Sequence, residues 1–162
     1  MADRGKGAHK GEHTVVQNRR ARFDFEITDS VEAGLVLLGT EVKSLRNGGG
    51  VLSDAWAEVV RGEVWLNAMK IAPYSHGNIT NHATERRRKL LLHQREIRQL
   101  EQEAQRGLQL VPLRVYFKEG RAKLELGVGK PRKAHDKRHA IRDREQRAEA
   151  RRAVSNRGRG DD

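Results

Sequence analysis

Residues 113–126, LRVYFKEGRAKLEL, alternate apolar and polar side chains on both sides of a Glu-Gly pair at 119–120. Such alternation is typical of a half-buried β-strand, and a two-residue turn containing glycine joins two such strands into a hairpin. The turn predicts three apolar pairs: Phe117–Ala122, Val115–Leu124 and Leu113–Leu126. The opposite, exposed face then carries Arg114, Tyr116, Lys118, Arg121, Lys123 and Glu125. A slip of one residue would exchange the two faces, so this register is a sharp prediction.

A second hairpin is predicted earlier in the chain, with Arg61-Gly62 as its turn. Its apolar pairs are Val59–Val64, Ala57–Leu66 and Ala55–Ala68. On the other face Trp65 opposes Glu58 and Trp56 opposes Asn67, so both indoles lie on the polar side. Trp56 is expected to be exposed because it is near the strand end. For Trp65, exposure and cover by a helix or tail are both open.

The remaining elements are predicted from the spacing of apolar residues along the chain and from residues that cap helices. Strands are expected at Arg22–Thr28 and Gly34–Leu38, and a short helix capped by Thr40 runs through Arg46 until the glycines at 48–50. A long helix is expected over Glu85–Arg106, with Thr84 as cap, Gly107 as stop and a buried stripe of Leu90, Ile97, Leu100 and Ala104. Its first turn, Arg86–Lys89, would place cations at the positive end of the helix dipole, a broken local rule that points to function.

These elements predict a mainly β fold, an OB-like antiparallel β-barrel flanked by about three helices, with disordered basic N- and C-terminal tails. The chain has 162 residues and a net charge of +11. The excess sits at the ends: residues 1–22 carry +4, residues 23–129 only +1 and residues 130–162 +6. A nearly neutral core with two cationic arms fits a polyanion with an extended surface.

Composition also excludes several classes of protein. There is no cysteine, which removes disulfides and thiol nucleophiles, and no signal sequence or membrane-spanning run is present, so we expect a soluble, cytoplasmic protein. No catalytic serine motif or paired carboxylates stand out, and Gly127–Lys130 fails as a phosphate loop because Pro131 replaces the required hydroxyl residue. The pairs His9–His13 and His135–His139 lack a third ligand. We therefore expect no enzyme, no metal and no cofactor.

Five short runs resemble the SsrA-binding protein family (small protein B): Asn18–Arg22, Glu32–Gly34, Gly39–Arg46, Arg88–His93 and His135–Arg138. The resemblance extends over about residues 13–155. It implies an OB-like barrel with a basic tail, from bacteria, that binds the tRNA-like domain of transfer-messenger RNA. It further implies delivery of that RNA, charged with alanine, to ribosomes stalled on mRNA without a usable stop codon.

The resemblance also implies roles for individual residues. Asn18, Glu32 and Leu91 occupy positions linked to RNA binding. Trp56 stands where the family commonly has a tyrosine or phenylalanine that touches the decoding centre. The tail motif Asp136–Arg138 is needed during accommodation on the ribosome. The chain departs from the family pattern at Phe23, Pro131 and Gln146.

Together, the patterns and the resemblance define two candidate sets. The RNA-binding set is Asn18, Arg19, Arg22, Glu32, Glu41, Lys43, Arg46, Arg88, Lys89, Leu91, Arg114, Tyr116, Lys118, Arg121 and Lys123. The ribosome-contacting set, for the decoding centre and mRNA channel of the small subunit, is Trp56, Lys130, Arg132, Lys133, Asp136, Lys137, Arg138, Arg144, Arg147 and Arg151. Whether the barrel face or the Glu41–Arg46 helix contacts the RNA stays open.

The expected organisation has three parts: a flexible basic arm (1–17), an RNA-binding barrel (18–130) and a basic tail (131–162). The tail is rich in Ala, Arg and Glu, so we expect it to be unfolded alone and helical on the ribosome. The free protein is expected to be a monomer. Two alternatives remain: a general ribosomal or initiation-type OB protein, and an RNA-processing nuclease.

Overall fold

The computed structural model describes residues 11–75, 81–133, 142, 144–149 and 151. Within these ranges the strands are β1 (Glu12–Gln17), β2 (Phe25–Leu35), β3 (Gly50–Val51), β4 (Trp56–Val60), β5 (Glu63–Asn67), β6 (Lys70–Ile71), β7 (Arg88–Leu91), β8 (Gln109–Lys118) and β9 (Arg121–Pro131). The helices before residue 133 are α1 (Ala21–Asp24), α2 (Gly39–Arg46) and α3 (Gln94–Gln105). None of the described helices is both long and apolar enough to cross a bilayer.

The main sheet closes on itself. Its strand order is β1-β8-β4-β5-β7-β2-β9, and β8 also pairs with β9, so six strands form a ring to which β1 is added beside β8. Every pairing is antiparallel. Closure satisfies the strand edges internally, and the predicted OB-like antiparallel barrel is confirmed.

Both hairpin turns are where the sequence placed them. The β4–β5 ladder pairs Val59 with Val64, Ala57 with Leu66, Glu58 with Trp65 and Trp56 with Asn67. It ends there, so the expected Ala55–Ala68 pair lies beyond it, and Ala68 has a left-handed φ of 60°. The pairs Phe117–Ala122 and Val115–Leu124 are also confirmed.

The third expected pair of the second hairpin is wrong because β8 carries a bulge. Pro112, not Leu113, opposes Leu126, and Arg114 then opposes Glu125. The extra residue is Leu113, so the shift affects only the pairs beyond Arg114 and leaves those nearer the turn unchanged. The expected polar set therefore keeps its register.

The segment around Phe23 is helical, not extended. The N–H groups of Phe23 and Asp24 both donate to the Arg20 carbonyl, at 3.0 and 2.9 Å, and close the single turn of α1. The alternation of apolar residues that predicted a strand at Arg22–Thr28 starts only with Phe25. From there β2 continues to Leu35 as one strand, so a separate strand at Gly34–Leu38 is also wrong.

The region predicted as one long helix forms a strand followed by a shorter helix. Arg88–Leu91 form strand β7 between β5 and β2, and α3 begins only after His93, whose N–H donates to Glu96 Oε1 at 3.0 Å. The argument from cations at a helix start therefore does not apply to Arg86–Lys89. Gly107 ends α3 as expected, with a φ of 85°. Ile97 and Leu100 are buried in the core, whereas Ala104 is exposed.

Helix α2 has the predicted extent but a different cap. Leu38 is the cap residue, and its N–H donates to Glu41 Oε1 at 2.8 Å, while Thr40 already lies inside the helix. The helix then ends before Gly48, whose φ is 80°.

The chain ends differ from the expected division in one respect. Glu12–Gln17 pair with β8, so the sheet begins inside the segment that we expected to be a flexible arm. Apolar Val16 is buried in the barrel core, which accounts for this pairing. At the other end β9 runs to Pro131. Residue 142, residues 144–149 and residue 151 are helical and exposed.

Candidate nucleic-acid interface

The register of the sheet defines one continuous outer face over β7, β2, β9 and β8. Gly34 lies between Leu91 on β7 and Lys123 on β9, and Lys123 in turn opposes Tyr116 on β8. Directly opposed residues point to the same side of a sheet. Glu32, two residues before Gly34, therefore shares this side, as do Lys118 and Arg121 at the hairpin end. The structure brings these predicted RNA-binding side chains together.

Tyr116 is the buried centre of this face. We expected it to be exposed, but only 2% of its surface is accessible, and its hydroxyl donates a hydrogen bond to Glu32 Oε2. Lys118 Nζ lies 3.5 Å from the same carboxylate oxygen. Burial raises the pKa of Tyr116, and the Glu32 carboxylate raises it further, so the phenol stays a neutral donor at physiological pH. Tyr116 therefore holds Glu32 in place and offers little surface to an RNA base.

The pKa of the Glu32 carboxyl is lowered. Partial burial acts to raise this pKa, but the Tyr116 hydrogen bond and the charge of Lys118 outweigh it. Glu32 is thus an oriented, ionised acceptor close to the cations Lys118 and Lys123. Such a carboxylate can accept hydrogen bonds from RNA hydroxyl or amino groups.

Arg114 is already engaged within the protein. Its guanidinium group donates to Glu125 Oε2 at 2.7 Å and to Glu12 Oε2 at 2.8 Å, and it lies 4.0 Å from the centre of the Tyr116 ring. Burial lowers the pKa of Arg114, but the hydrogen bonds to Glu12 and Glu125 more than reverse this, and the net shift is upward. Arg114 therefore stabilises this face, and its charge is already paired with two carboxylates.

An apolar patch lies beside these charges. Leu91 is 54% exposed, and the nearby Val36 and Leu38 are exposed as well. Val36 follows the end of β2, where its N–H donates to the Lys89 carbonyl at 3.1 Å. Sequence reasoning missed Val36 and Leu38, because an apolar run is normally read as core. Exposed apolar groups flanked by cations fit unpaired, splayed bases.

Glu41 and Arg88 are not at the surface, which corrects their expected role as direct RNA contacts. Both side chains are 0% exposed, and Arg88 Nε lies 2.5 Å from Glu41 Oε2. Arg86 donates to the other carboxylate oxygen at 2.5 Å, and Arg88 also donates to the Met69 carbonyl at 2.7 Å. This buried cluster fixes α2 against the start of β7.

The ionisation of this cluster follows from its contacts. Burial raises the pKa of Glu41, but the Leu38 N–H and the two guanidinium groups lower it by more, so the net shift is downward. Burial also lowers the pKa of Arg88, against the opposing effect of Glu41. Paired in this way, both groups stay charged inside the protein.

Asn18 holds the β8 bulge. Its backbone N–H donates to the Leu113 carbonyl at 2.8 Å, and its Nδ2 donates to the Pro112 carbonyl at 2.9 Å. Its Oδ1 is buried and has no hydrogen-bond partner among the described residues. The Nδ2 atom of the Asn18 amide is thus used to hold the backbone of β8.

The other candidates are distributed around the barrel. Arg46 stacks 4.2 Å from the Phe117 ring, and Lys89 Nζ lies 3.2 Å from Glu63. Trp65 is partly covered by Arg87, whose guanidinium carbon lies 4.6 Å from the ring centre, whereas Trp56 is 50% exposed as expected. Between residues 19 and 133 the exposed candidate cations are Arg19, Arg22, Lys43, Arg46, Arg121, Lys130 and Lys133.

Some candidates belong to the end of the chain. Arg132 is tied to the barrel, since its N–H donates to the Asp24 carbonyl at 2.8 Å and its Nε to the Arg22 carbonyl at 3.2 Å. Arg144, Arg147 and Arg151 are exposed and helical. Asp136, Lys137 and Arg138 lie outside the described residues. In the part of the chain that the structure covers, no three His, Asp or Glu side chains are grouped to hold a metal ion.

Replacing Tyr116 by phenylalanine should lower the free energy of unfolding by about 1–2 kcal/mol at neutral pH. The change removes one hydrogen bond to a carboxylate, and the partial solvation of Glu32 keeps the loss in the lower range for charged acceptors. Because the folded-state pKa of Glu32 is lowered, this contribution is present above about pH 4.5 and is lost on acidification. Urea denaturation at pH 7 and pH 3.5 measures the loss of unfolding free energy and its pH dependence. An equal loss at the two pH values would contradict a hydrogen bond from Tyr116 to an ionised Glu32.

An antiparallel OB-like barrel with a cationic outer face and an exposed apolar patch defines an oligonucleotide-binding type of protein. The SmpB protein family model matches residues 15–156. The chain therefore belongs to the SmpB family.

Curated relatives and a solved structure agree with this assignment. An SsrA-binding protein of Frankia casuarinae is 49% identical over 151 residues, which cover 93% of this chain and 95% of the relative. One from Streptococcus pneumoniae is 55% identical over 85% of this chain and 90% of its own length. A solved chain described as "tmRNA-SmpB: a journey to the center of the bacterial ribosome" has a TM-score of 0.65 and 46% identity, covering 80% of this chain and 96% of the other.

Proposed function

We propose that this protein is the RNA-binding adaptor of trans-translation. It binds the tRNA-like domain of transfer-messenger RNA and delivers it to stalled bacterial ribosomes, where the C-terminal tail senses the empty mRNA channel. One observation carries the proposal: the match to the SmpB family extends from the first strand into the tail, over residues 15–156. The likeness to a solved chain from a tmRNA-SmpB ribosome study supports the same partners.

The geometry favours the outer face as the site for the RNA. It combines an ordered carboxylate at Glu32, cations at Lys118, Arg121 and Lys123, and the apolar Leu91 with its neighbours. Folded RNA is bound through its phosphates, its 2′-hydroxyls and its unstacked bases, and this face has a group for each of them. The exposed Lys43 and Arg46 on α2 extend the positive charge beside it.

The ribosome-contacting part of the protein lies at the other end of β9. Trp56 is available to stack on a base, an interaction worth about 1–3 kcal/mol. Lys130, Arg132 and Lys133 mark where the chain leaves the barrel, and the cationic helix of the tail is suited to a channel lined with phosphates. In this proposal the protein acts in the cytoplasm, as a binding protein and not as an enzyme.

A gel shift with transfer-messenger RNA and an ordinary tRNA tests the proposal. The full-length protein should prefer transfer-messenger RNA, and Leu91→Ala should weaken that binding about tenfold, which corresponds to about 1.4 kcal/mol. Val51→Ala is the matched control, because Val51 is similarly exposed but lies in the separate β3–β6 sheet. Equal affinity for both RNAs, with sedimentation on all ribosomes, would instead indicate a general ribosomal protein. Cleavage of the bound RNA in magnesium would indicate a nuclease.

A further inference from the structure

Helix α3 presents a cationic face that none of the candidate sets includes. Arg95, Arg98 and Arg106 are all exposed, and they line one shallow depression together with Gln99, Gln102 and the partly buried Glu103. Ile97 and Leu100, which anchor the helix in the core, point the other way. The depression is therefore lined only by polar and charged side chains.

The charge of this face is not neutralised locally. Among the described residues, no ion pair involves Arg95, Arg98 or Arg106. The acids of the helix are used elsewhere: Glu96 accepts the N–H of His93 at the helix start, and Glu101 lines a different depression beside Trp56. Three guanidinium groups thus face solvent against the single carboxylate of Glu103.

Most of this face is distant from the cationic end of the outer face, while Arg95 lies four residues after Leu91 in the chain. Helix α3 packs on β4 and β8, and the chain enters β8 at Gln109 directly after the Gly107 stop. The cations Lys118 and Arg121 flank the turn at the far end of β8, where Lys118 is nine residues after Gln109. At about 3.3 Å per residue, Lys118 is about 30 Å along the strand from Gln109, the end of β8 that follows α3.

We propose that the α3 face is a second RNA-binding site, which binds the phosphate backbone of helical rRNA in the small ribosomal subunit while the outer face holds transfer-messenger RNA. The three arginines extend over about 16 Å of helix, which suits phosphates spread along a duplex better than a single anion. The absence of apolar side chains from this depression disfavours base stacking, and its two glutamine amides are suited to 2′-hydroxyls. This inference rests on the proposed function, since it assigns a site to the second of its two RNA partners.

The test uses the full-length protein, purified small ribosomal subunits and transfer-messenger RNA in separate binding titrations at several salt concentrations. Arg95→Gln/Arg98→Gln/Arg106→Gln removes the charges and keeps good helix formers. It should weaken subunit binding at least about tenfold, lower the salt dependence by about three phosphate contacts, and leave transfer-messenger RNA affinity within about twofold. The control Lys118→Gln/Arg121→Gln/Lys123→Gln removes the same charge from the outer face and should show the opposite pattern.

The outcomes separate the inference from the function on which it rests. The second site is overturned if the α3 variant binds small subunits with the affinity of the wild type. It is also overturned if the variant loses affinity for transfer-messenger RNA as strongly as for small subunits. A 20-base-pair RNA duplex that competes for subunits with the wild type but not with the α3 variant supports helical RNA as the ligand. Competition by the duplex that is equal for both proteins overturns it. If the wild type itself does not bind transfer-messenger RNA, the proposed function fails, whatever the α3 variant does.

Discussion

Replacement of Arg88 by methionine should lower the free energy of unfolding by about 3–5 kcal/mol, enough to unfold a large fraction of a marginally stable domain. The substitution leaves the Glu41 carboxylate in a site without solvent access and removes the donor to the Met69 carbonyl. Arg86 remains at 2.5 Å from the other carboxylate oxygen, which places the loss near the lower limit. Urea denaturation followed by circular dichroism measures the change.

Two further variants distinguish an uncompensated buried charge from simple loss of volume. Glu41→Leu/Arg88→Met removes both charges and should recover stability relative to Arg88→Met alone, because no ion is then left buried without its partner. Arg86→Met is the matched control, since that side chain is 29% exposed, and it should cost much less. A double variant that is less stable than Arg88→Met would contradict the ion-pair interpretation.

Truncation after Lys133 should abolish tagging of stalled ribosomes while transfer-messenger RNA affinity stays within about threefold of the wild-type value. The outer face lies entirely before this position, and the cut removes the tail cations after Lys133, whose phosphate contacts we assign to the ribosome. A gel shift and an in vitro tagging assay measure the two properties. A truncated protein that still supports tagging would remove the tail from the proposed function.

The position of the cut matters for this experiment. Pro131 still pairs with Phe25, and Arg132 donates to the Asp24 and Arg22 carbonyls. A cut at residue 130 would therefore disturb the edge of the barrel and confuse folding with function. A cut after Lys133 keeps both contacts of Arg132, so a loss of tagging is then attributable to the removed tail.

The sequence predicted the features that depend on near neighbours. Turn glycines and alternating side chains fix the register of both hairpins, since a strand and its hairpin partner are within a few residues. The ends of α2 and α3 were predictable for the same reason, because Gly48 and Gly107 adopt a positive φ just after each helix. The bulge at Leu113 was not predictable, because it is held by Asn18 from a distant part of the chain.

The errors concern burial that depends on distant partners. Arg88 is buried because Glu41, 47 residues away, neutralises it, and the same pairing draws residues that resemble a helix start into strand β7. Tyr116 is buried because Glu32, 84 residues away, accepts a hydrogen bond from its hydroxyl group. Neither partner could be identified from spacing along one element. Conversely, Leu38 and Val36 are apolar but exposed, which no periodicity indicates.

The cluster of Glu41, Arg86 and Arg88 joins two of the segments that resemble the family, Gly39–Arg46 and Arg88–His93. One carboxylate caps α2 and neutralises both guanidinium groups at the start of β7. A change of charge in one segment therefore creates a defect that only a change in the other can repair. The two segments are expected to diverge together, as a linked pair, and a graft of either one alone into another barrel should not be tolerated.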